Sequence, residues 1–205
     1  LGRGVGDLPM RRRALDLPQR APGHGPSYPL NAGIALAGGR YLALLGDDDL
    51  WTDDQHLARV AQVIEACAEA PDLVLANQHA YRDGVAVPGP VWIEDLLQRA
   101  GRPLPCDDTG AFAVTPDDLL RCTGFAHVNT TIVRRTYLEQ IGGFDETLRY
   151  EGDRDFYLRA IDAAASIRYL PDVVARHNIP DASARANMST SMDSLAKRLY
   201  QLRLL

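Results

Sequence analysis

The sequence predicts an α/β protein whose largely parallel sheet is flanked by helices. Two mainly apolar stretches of strand length, residues 41–45 and 72–76, are separated by a segment with helical periodicity. Strands that alternate with helices build layered α/β domains, and an uninterrupted apolar run is typical of a strand buried on both faces. A chain of 205 residues has the length of one ordinary domain, with or without a tail.

The N-terminal part is predicted to divide at residue 31. Residues 1–30 are rich in Gly, Pro and Arg and show no clear periodicity, so we expect an irregular arm. The main domain, residues 31–180, is expected to open with Asn31 as the N-cap of a short helix that two glycines at 38–39 end.

The remaining elements of the main domain follow from periodicity and capping residues. Thr52 and Gln55 have the spacing of a capping box and predict a helix that Pro71 ends. The later predicted elements, in chain order, are a strand at 72–76, short helical pieces near 94–99 and 116–121, a strand at 130–133, a helix opened by Thr136 and Glu139, a helix at 153–164, and strand segments at 166–170 and 173–174.

Residues 181–205 are predicted to form a loop and a closing amphipathic helix. Its apolar residues recur at helical spacing: Met192, Leu195, Ala196, Leu199 and Leu202. Such a helix more often docks on its own domain than on a membrane, so docking is the expected arrangement and peripheral membrane association is the alternative.

Composition and charge exclude several classes of protein. The chain is 46% hydrophobic and 24% charged, which suits a globular protein with a core, and its net charge of -5 argues against a nucleic-acid partner. No apolar run approaches the roughly 20 residues of a membrane-spanning helix, and no apolar signal core is visible. Three cysteines without metal-type spacing suit a reducing cytosol, so a cytoplasmic location is predicted.

An acidic turn, Asp47-Asp48-Asp49, directly follows the first predicted strand. Ligands of open α/β sheets bind at the carboxyl ends of strands, and adjacent carboxylates repel unless a cation compensates them. Carboxylate oxygens suit magnesium or manganese, which keep positions open for diphosphate oxygens. The alternative is a solvated loop that stabilises the N-terminus of the next helix. The spacing does not fit an EF-hand, and a position after a strand does not fit the all-helical prenyl-diphosphate enzymes.

Residues 31–51 resemble the segment that carries the DXD motif in family 2 glycosyltransferases of the GT-A fold. In that family an Asn-x-Gly helix leads into an apolar strand, a short acidic cluster and often a Trp. On this match Asp48 is the usual metal-binding aspartate, Gly46 stands where many relatives have the first Asp, and Asp47 and Asp49 flank the ligand position. All three aspartates are therefore candidates for binding the donor diphosphate. The resemblance implies a GT-A-like fold and a Mg or Mn ion at the donor diphosphate.

Residues 142–159 resemble the family's second signature, a Gly-Gly-Phe-Asp turn followed by an acidic pair and a helix. On this match Asp153 is the catalytic base and Asp155 supports the start of the helix, while Gly152 replaces an acidic residue and Glu151 is a second candidate base. Inverting sugar transfer needs one carboxylate to take the proton from the acceptor hydroxyl. The alternative is that these acids serve only the helix N-terminus.

Further site residues are expected around these two motifs. Arg176 and His177 lie where relatives often carry donor-phosphate ligands, and His177 is also a candidate metal ligand beside Asp48 and Asp49. On the acceptor side, His127, Asn129 and Thr130 are candidates for binding sugar hydroxyls. Trp51 either stacks on an acceptor sugar or packs in the core.

Together these features predict a metal-dependent, inverting glycosyltransferase of the hexosyltransferase type. Its donor would be a nucleotide-diphosphate sugar and its acceptor a hydroxyl of a glycan or other molecule, in the cytoplasm or at the inner face of the membrane. The alternatives are a nucleotidyltransferase on a similar frame and a non-catalytic carbohydrate- or partner-binding remnant.

The resemblance covers residues 31–191, and residues 1–30 match none of the family's nucleotide-binding strands. If the chain is a fragment, weak or no transfer is expected. Oligomeric state, donor sugar and acceptor stay open.

Overall fold

The computed structural model describes residues 13–18, 23–180 and 188–204. The helices are α1 (Ser27–Leu36), α2 (His56–Ala66), α3 (Leu96–Arg99), α4 (Pro116–Leu119), α5 (Arg135–Gln140), α6 (Gly152–Ala163), α7 (Met188–Ser191) and α8 (Ser194–Leu202). The strands are β1 (Tyr41–Ala43), β2 (Leu50–Trp51), β3 (Leu73–Arg82), β4 (Val85–Ala86), β5 (Phe112–Val114), β6 (Thr131–Arg134) and β7 (Ile167–Asn178). A 3-10 turn, Val128–Thr130, leads into β6.

The strands form one mixed sheet in the order β1-β6-β3-β7-β2, with β4 on β3 and β5 on β7. The α/β class is confirmed, but the expectation of mostly parallel pairing is corrected. The long pair β3 and β7 is parallel, whereas β1, β2, β4, β5 and β6 each pair antiparallel. An apolar run indicates that a strand is buried but does not fix its direction, which depends on how the chain returns to the sheet.

The core lies on both faces of the central strand β3. Leu73 and Leu75 belong to the cluster beneath α5 and α6, whereas Val74 and Ala76 belong to the cluster beneath α2. This alternation is what a strand buried on both faces requires. By contrast, β1 pairs only with β6 among the described residues, and the side chain of Ala43 is exposed, so the prediction of a fully buried strand at 41–45 is corrected.

Helix α1 begins at Ser27, four residues before the expected N-cap. Asn31 therefore lies inside the helix, and its side chain serves another purpose. Its Nδ2 donates to the backbone oxygen of Phe144 at 2.8 Å, and its Oδ1 accepts from the Phe144 backbone N–H at 2.9 Å. Asn31 thus ties α1 to the turn that precedes α6.

Three other helix starts differ from the sequence prediction. Helix α2 begins at His56 without a side-chain cap, so Thr52 does not open it. Helix α5 begins at Arg135, one residue before Thr136. Helix α8 begins at Ser194, where the Asp193 carboxylate caps the backbone N–H groups of Leu195 and Ala196. The predicted division of the chain at residues 30 and 180 stays a prediction.

None of the helices that the structure describes has both the length and the apolar character needed to cross a bilayer.

Candidate functional site

The acidic turn joins β1 to β2 and is held in place by Asn129, which is fully buried. The Asn129 Oδ1 accepts from the backbone N–H of Gly46 at 3.0 Å, and its Nδ2 donates to Asp49 Oδ2 at 2.7 Å and to Gln78 Oε1 at 3.2 Å. Its backbone oxygen accepts from Trp51 Nε1 at 2.8 Å. Because β6 is antiparallel to β1, the turn that precedes β6 lies at the end of β1, where it fixes both sides of the acidic turn.

The end of β7 holds the acidic turn from the other side. His177 Nδ1 lies 3.0 Å from Asp49 Oδ2, and the backbone N–H of Asn178 donates to Asp49 Oδ1 at 2.8 Å. The Asn178 side chain donates to the backbone oxygen of Asp48 at 2.6 Å. Burial alone would raise the pKa of Asp49, but the hydrogen bonds from His177, Asn129 and Asn178 outweigh it and lower that pKa. Asp49 is therefore an ionised carboxylate held in one orientation.

Asp47 and Asp48 are exposed at the same turn. Partial burial and the neighbouring Asp49 carboxylate raise the pKa of Asp48, while the nearby His177 acts in the opposite direction. A Cβ at Gly46 would lie 3.1 Å from Asp49 Oδ2 and 3.2 Å from Asp48 Oδ1. The glycine at the place of the family's first Asp thus leaves room for two carboxylates packed side by side.

Two imidazoles in contact, tilted by 58° to one another, connect the acidic turn to Asp153. The rings of His127 and His177 have centroids 4.8 Å apart. His177 Nδ1 faces the ionised Asp49 at 3.0 Å, which assigns Nδ1 as the donor of this hydrogen bond. His127 Nδ1 accepts from the Asn129 backbone N–H at 3.4 Å, so its Nε2 carries the proton and faces Asp153 Oδ2 at 3.7 Å. Burial lowers the pKa of His127 to about 3, so this imidazole is neutral.

Asp153 lies in the first turn of α6 and opens toward solvent on one side, with 36% of its side chain exposed. Desolvation raises its pKa, and the hydrogen bond from the Arg154 backbone N–H only partly offsets that effect. A carboxylate with a raised pKa is a stronger base than an ordinary aspartate. The geometry thus places a basic carboxylate on the far side of the histidine pair from the acidic turn.

Glu151 is engaged elsewhere. Its carboxylate lies 3.1 Å from Arg154 Nε and accepts from Gln201 Nε2 of α8 at 3.0 Å, and only 10% of its side chain is exposed. Glu151 therefore links α6 to α8 through Arg154 and Gln201 and does not occupy the position of a base. At Gly152, where relatives often carry an acidic residue, a Cβ would lie 2.9 Å from Ser27 Oγ of α1.

Trp92 is a site residue that sequence reasoning missed. Its ring centroid lies 4.8 Å from that of His127 and 5.2 Å from that of His177, so it packs against both imidazoles. The segment that carries Trp92 fits closely over Gly124, where a Cβ would lie only 2.1 Å from the Val91 backbone oxygen. No periodic pattern marks residue 92, and the isolated Gly124 is the one sequence signal of a close backbone contact.

The predicted acceptor residues are only partly brought to the site. Asn129 and Thr130 are buried, and the Thr130 hydroxyl donates to the His127 backbone oxygen at 3.1 Å, so the expectation that they bind sugar hydroxyls is corrected. They lie beneath the acidic turn because the 3-10 turn before β6 enters the sheet there. His127 does lie at the site, between His177 and Asp153.

Arg176 and Trp51 lie at the margin of the candidate site. The Arg176 guanidinium stacks 4.1 Å from the Tyr81 ring centroid and its Nε donates to Asn178 Oδ1 at 2.8 Å. Trp51 packs on the α2 side of the core, edge-on to His56, so the packing alternative accounts for its position.

The donor set fits a divalent cation. One ligand atom each of Asp49, His127 and His177 lies within 4.8 Å of the others. His127 has both ring nitrogens engaged, Nδ1 with the Asn129 backbone N–H and Nε2 toward Asp153, so His177 is the candidate nitrogen ligand. Asp49 Oδ1 accepts a single hydrogen bond and keeps a second lone pair. Asp48 is exposed at the same turn, and its carboxylate is of the hard-oxygen type that magnesium and manganese take as ligands.

The fold is shared with solved glycosyltransferase structures. The TarS 1-349 structure from S. aureus matches with a TM-score of 0.53 and 22% identity over 75% of this chain and 40% of that one. TarS 1-349 in complex with UDP-GlcNAc matches with a TM-score of 0.60 and 19% identity over 88% and 46%, and the UDP complex with 0.53 and 19% over 88% and 50%. The chain thus spans at most half the length of these structures.

No protein-family model and no curated protein sequence matches the chain. At this level of identity, the structural matches establish the fold.

Proposed function

We propose that this chain is a metal-dependent, inverting glycosyltransferase of the family 2 type that transfers a sugar from a nucleotide-diphosphate sugar to an acceptor hydroxyl. The observation that carries the proposal is the line of side chains from Asp49 through His177 and His127 to Asp153. It puts a candidate diphosphate site and a candidate base on opposite sides of one histidine pair. The UDP and UDP-GlcNAc complexes of structures with the same fold support a donor of this class.

In the proposed reaction, the acceptor oxygen forms a bond to the anomeric carbon as the bond from that carbon to the diphosphate oxygen breaks. The electron pair leaves with the nucleoside diphosphate, and the hydroxyl proton passes to the Asp153 carboxylate. Desolvation makes that carboxylate more basic, and the His127 Nε2–H on one side favours a single orientation of it.

Asp48, Asp49 and His177 are the residues proposed to hold Mg²⁺ or Mn²⁺. When bound, such an ion would stabilise the charge of the leaving nucleoside diphosphate. Asp49 Oδ2 lies 3.0 Å from His177 Nδ1, so an ion bound between this oxygen and this nitrogen would take the place of their hydrogen bond. Arg176 lies next to the acidic turn through Asn178 and is proposed to contact the donor phosphates.

A donor screen tests this function. The chain would be incubated with a panel of nucleotide-diphosphate sugars and Mn²⁺ or Mg²⁺, and released nucleoside diphosphate would be measured. We expect release from at least one donor, dependent on the metal, and a loss of about 10²–10⁴-fold in Asp153→Asn. Asp162→Asn, an exposed position on the same helix, is the matched control.

Two outcomes would contradict the proposal. If Asp153→Asn released nucleoside diphosphate as fast as the wild type, Asp153 would not be the catalytic base. No release from any donor, together with binding of carbohydrate alone, would instead indicate a non-catalytic binding protein.

A cytoplasmic location is proposed on the same basis as the sequence expectation. Cys67, Cys106 and Cys122 are all free thiols, as a reducing compartment would keep them. Fractionation of the native cells tests it, and recovery outside the cytoplasmic compartment would contradict it.

A further inference from the structure

Helix α8 turns its polar side toward the protein and its apolar side outward. Leu195, Leu199 and Leu202 recur at i, i+4 and i+7 and form one stripe along the helix. Their exposed fractions are 67%, 55% and 63%. A surface helix ordinarily buries such a stripe against its own core, so the expected docking of this apolar face is corrected.

Polar residues make the contacts that hold α8 against the body. Gln201 Nε2 donates to Glu151 Oε1 at 3.0 Å, and Arg203 donates to the Thr147 hydroxyl at 2.9 Å. The Lys197 ammonium lies 5.6 Å from the Tyr150 ring centroid. These contacts fix which side of α8 faces outward, and they do so through the segment that leads into α6.

The charge of α8 differs in sign from that of the whole chain. Residues 194–204 contain Lys197, Arg198 and Arg203 and no acidic residue, whereas the chain as a whole carries a net charge of -5. Arg198 is exposed and lies on the same side as the leucine stripe, three residues after Leu195. An apolar stripe beside a cation is complementary to a membrane surface, because the acyl chains are apolar and the headgroups can carry negative charge.

We propose that α8 binds the surface of a membrane containing anionic lipids, with the three leucines inserted at the level of the acyl-chain boundary and the exposed Arg198 among the headgroups. A second copy of this chain fits the stripe less well. A symmetric contact between two such stripes would bring each Arg198 close to the same residue of its partner, without an acidic residue on α8 to compensate.

Vesicle co-sedimentation of the full chain tests the proposal. We expect binding to vesicles of phosphatidylcholine with phosphatidylglycerol to be at least about tenfold tighter than binding to phosphatidylcholine alone, and to weaken with added salt. The double variant Leu199→Gln/Leu202→Gln should lose about tenfold or more of the binding to anionic vesicles. The matched double variant Leu57→Gln/Leu120→Gln, at positions 45% and 61% exposed in α2 and directly after α4, should bind as the wild type does.

Because all four substituted leucines are exposed, both double variants are expected to fold, which thermal unfolding checks. Absence of vesicle binding, or equal binding to neutral and anionic vesicles, would overturn the proposal. So would an equal loss in the two double variants. A lipid-free dimer of the wild type that Leu199→Gln/Leu202→Gln dissociates would assign the stripe to a second copy instead. None of these results depends on glycosyl transfer, so the outcome is separate from the proposed function.

Discussion

His127 Nε2 lies 3.7 Å from Asp153 Oδ2, and the hydrogen bond that His127 Nδ1 accepts from the Asn129 backbone fixes the proton on the nitrogen that faces the carboxylate. An N–H directed at a carboxylate stabilises its charged form and lowers its pKa. Desolvation raises the pKa of Asp153, and the hydrogen bond from the Arg154 backbone N–H lowers it in part. By the same reasoning, the His127 N–H at 3.7 Å favours the ionised carboxylate.

The variant His127→Leu removes that donor. We expect transfer to fall about tenfold and the acidic limb of the pH–rate profile to move to higher pH, because the base then protonates more readily. His127→Gln keeps an N–H at a similar reach and should restore most of the activity. His127 itself has a pKa of about 3, so it does not titrate in that limb. An unshifted limb in His127→Leu would show that the two residues are not coupled.

Asp153→Asn should stabilise the fold at neutral pH. The folded pKa of Asp153 is raised above the value of the unfolded chain, so the folded state holds its proton more tightly and the unfolding free energy falls as pH rises through that interval. The neutral amide at position 153 of the variant carries no charge that burial would destabilise. We expect the midpoint of thermal unfolding of the variant to exceed that of the wild type at pH 7, and the difference to shrink below about pH 4. A variant less stable than the wild type at pH 7 would contradict this reasoning.

Asp49→Asn should have the opposite effect. The Asp49 side chain is 2% exposed and accepts hydrogen bonds from His177, Asn129 and Asn178. Its folded pKa is depressed, so its contribution is present above the unfolded pKa and is lost as pH falls through the folded value. The expected cost is about 1–3 kcal/mol at pH 7 by denaturant unfolding. Asp47→Asn, at the exposed end of the turn, is the control and should change the unfolding free energy little. Equal losses in the two variants would show that the hydrogen bonds of Asp49 do not stabilise the fold.

Gly124→Ala should disturb the placement of Trp92. The added Cβ would meet the Val91 backbone oxygen at 2.1 Å, and backbone cannot move aside as a flexible side chain does. We expect a loss of about 1–3 kcal/mol in unfolding free energy and a changed near-ultraviolet circular dichroism signal. Gly38→Ala, at a glycine where the Cβ has no neighbour within 4 Å, is the matched control. A wild-type spectrum in Gly124→Ala would mean that the 91–92 segment is freer than its close fit suggests.

The sequence predicted which segments form helices and strands better than how the strands pair. Periodicity located both ends of α6 to within one residue, because burial of one face leaves a local pattern. The apolar run at 72–76 located the start of β3 but not its continuation to Arg82. Strand direction leaves no such pattern, since β6 has the same apolar composition whether it runs parallel or antiparallel to β3. The predictions of helix starts were wrong for a related reason. Asn31 is a residue type that often caps a helix, but its side-chain amide forms hydrogen bonds with the backbone of Phe144, which is distant in sequence.

The candidate site was predictable where motifs are contiguous. The aspartate turn, His177 and Asp153 each belong to a short segment with recognisable chemistry. The structure places Asp49 against His177, and Asp153 against His127 on the other side of the histidine pair. Asn178 and Trp92 were missed because their roles depend on contacts with residues that lie far away in sequence. Asn129 was assigned to the acceptor, although its burial commits both of its amide atoms to the acidic turn.

The central claim is that a divalent cation held at the acidic turn binds the diphosphate of the donor, and calorimetric titration of nucleoside diphosphates into the chain tests it most directly. With Mn²⁺ present, we predict saturable binding of at least one nucleoside diphosphate that disappears on chelation. Asp48→Asn should weaken this binding about 10–100-fold, while Asp162→Asn, the exposed control position on α6, should leave it close to that of the wild type. Binding of equal strength without metal, or unchanged binding in Asp48→Asn, would contradict the account.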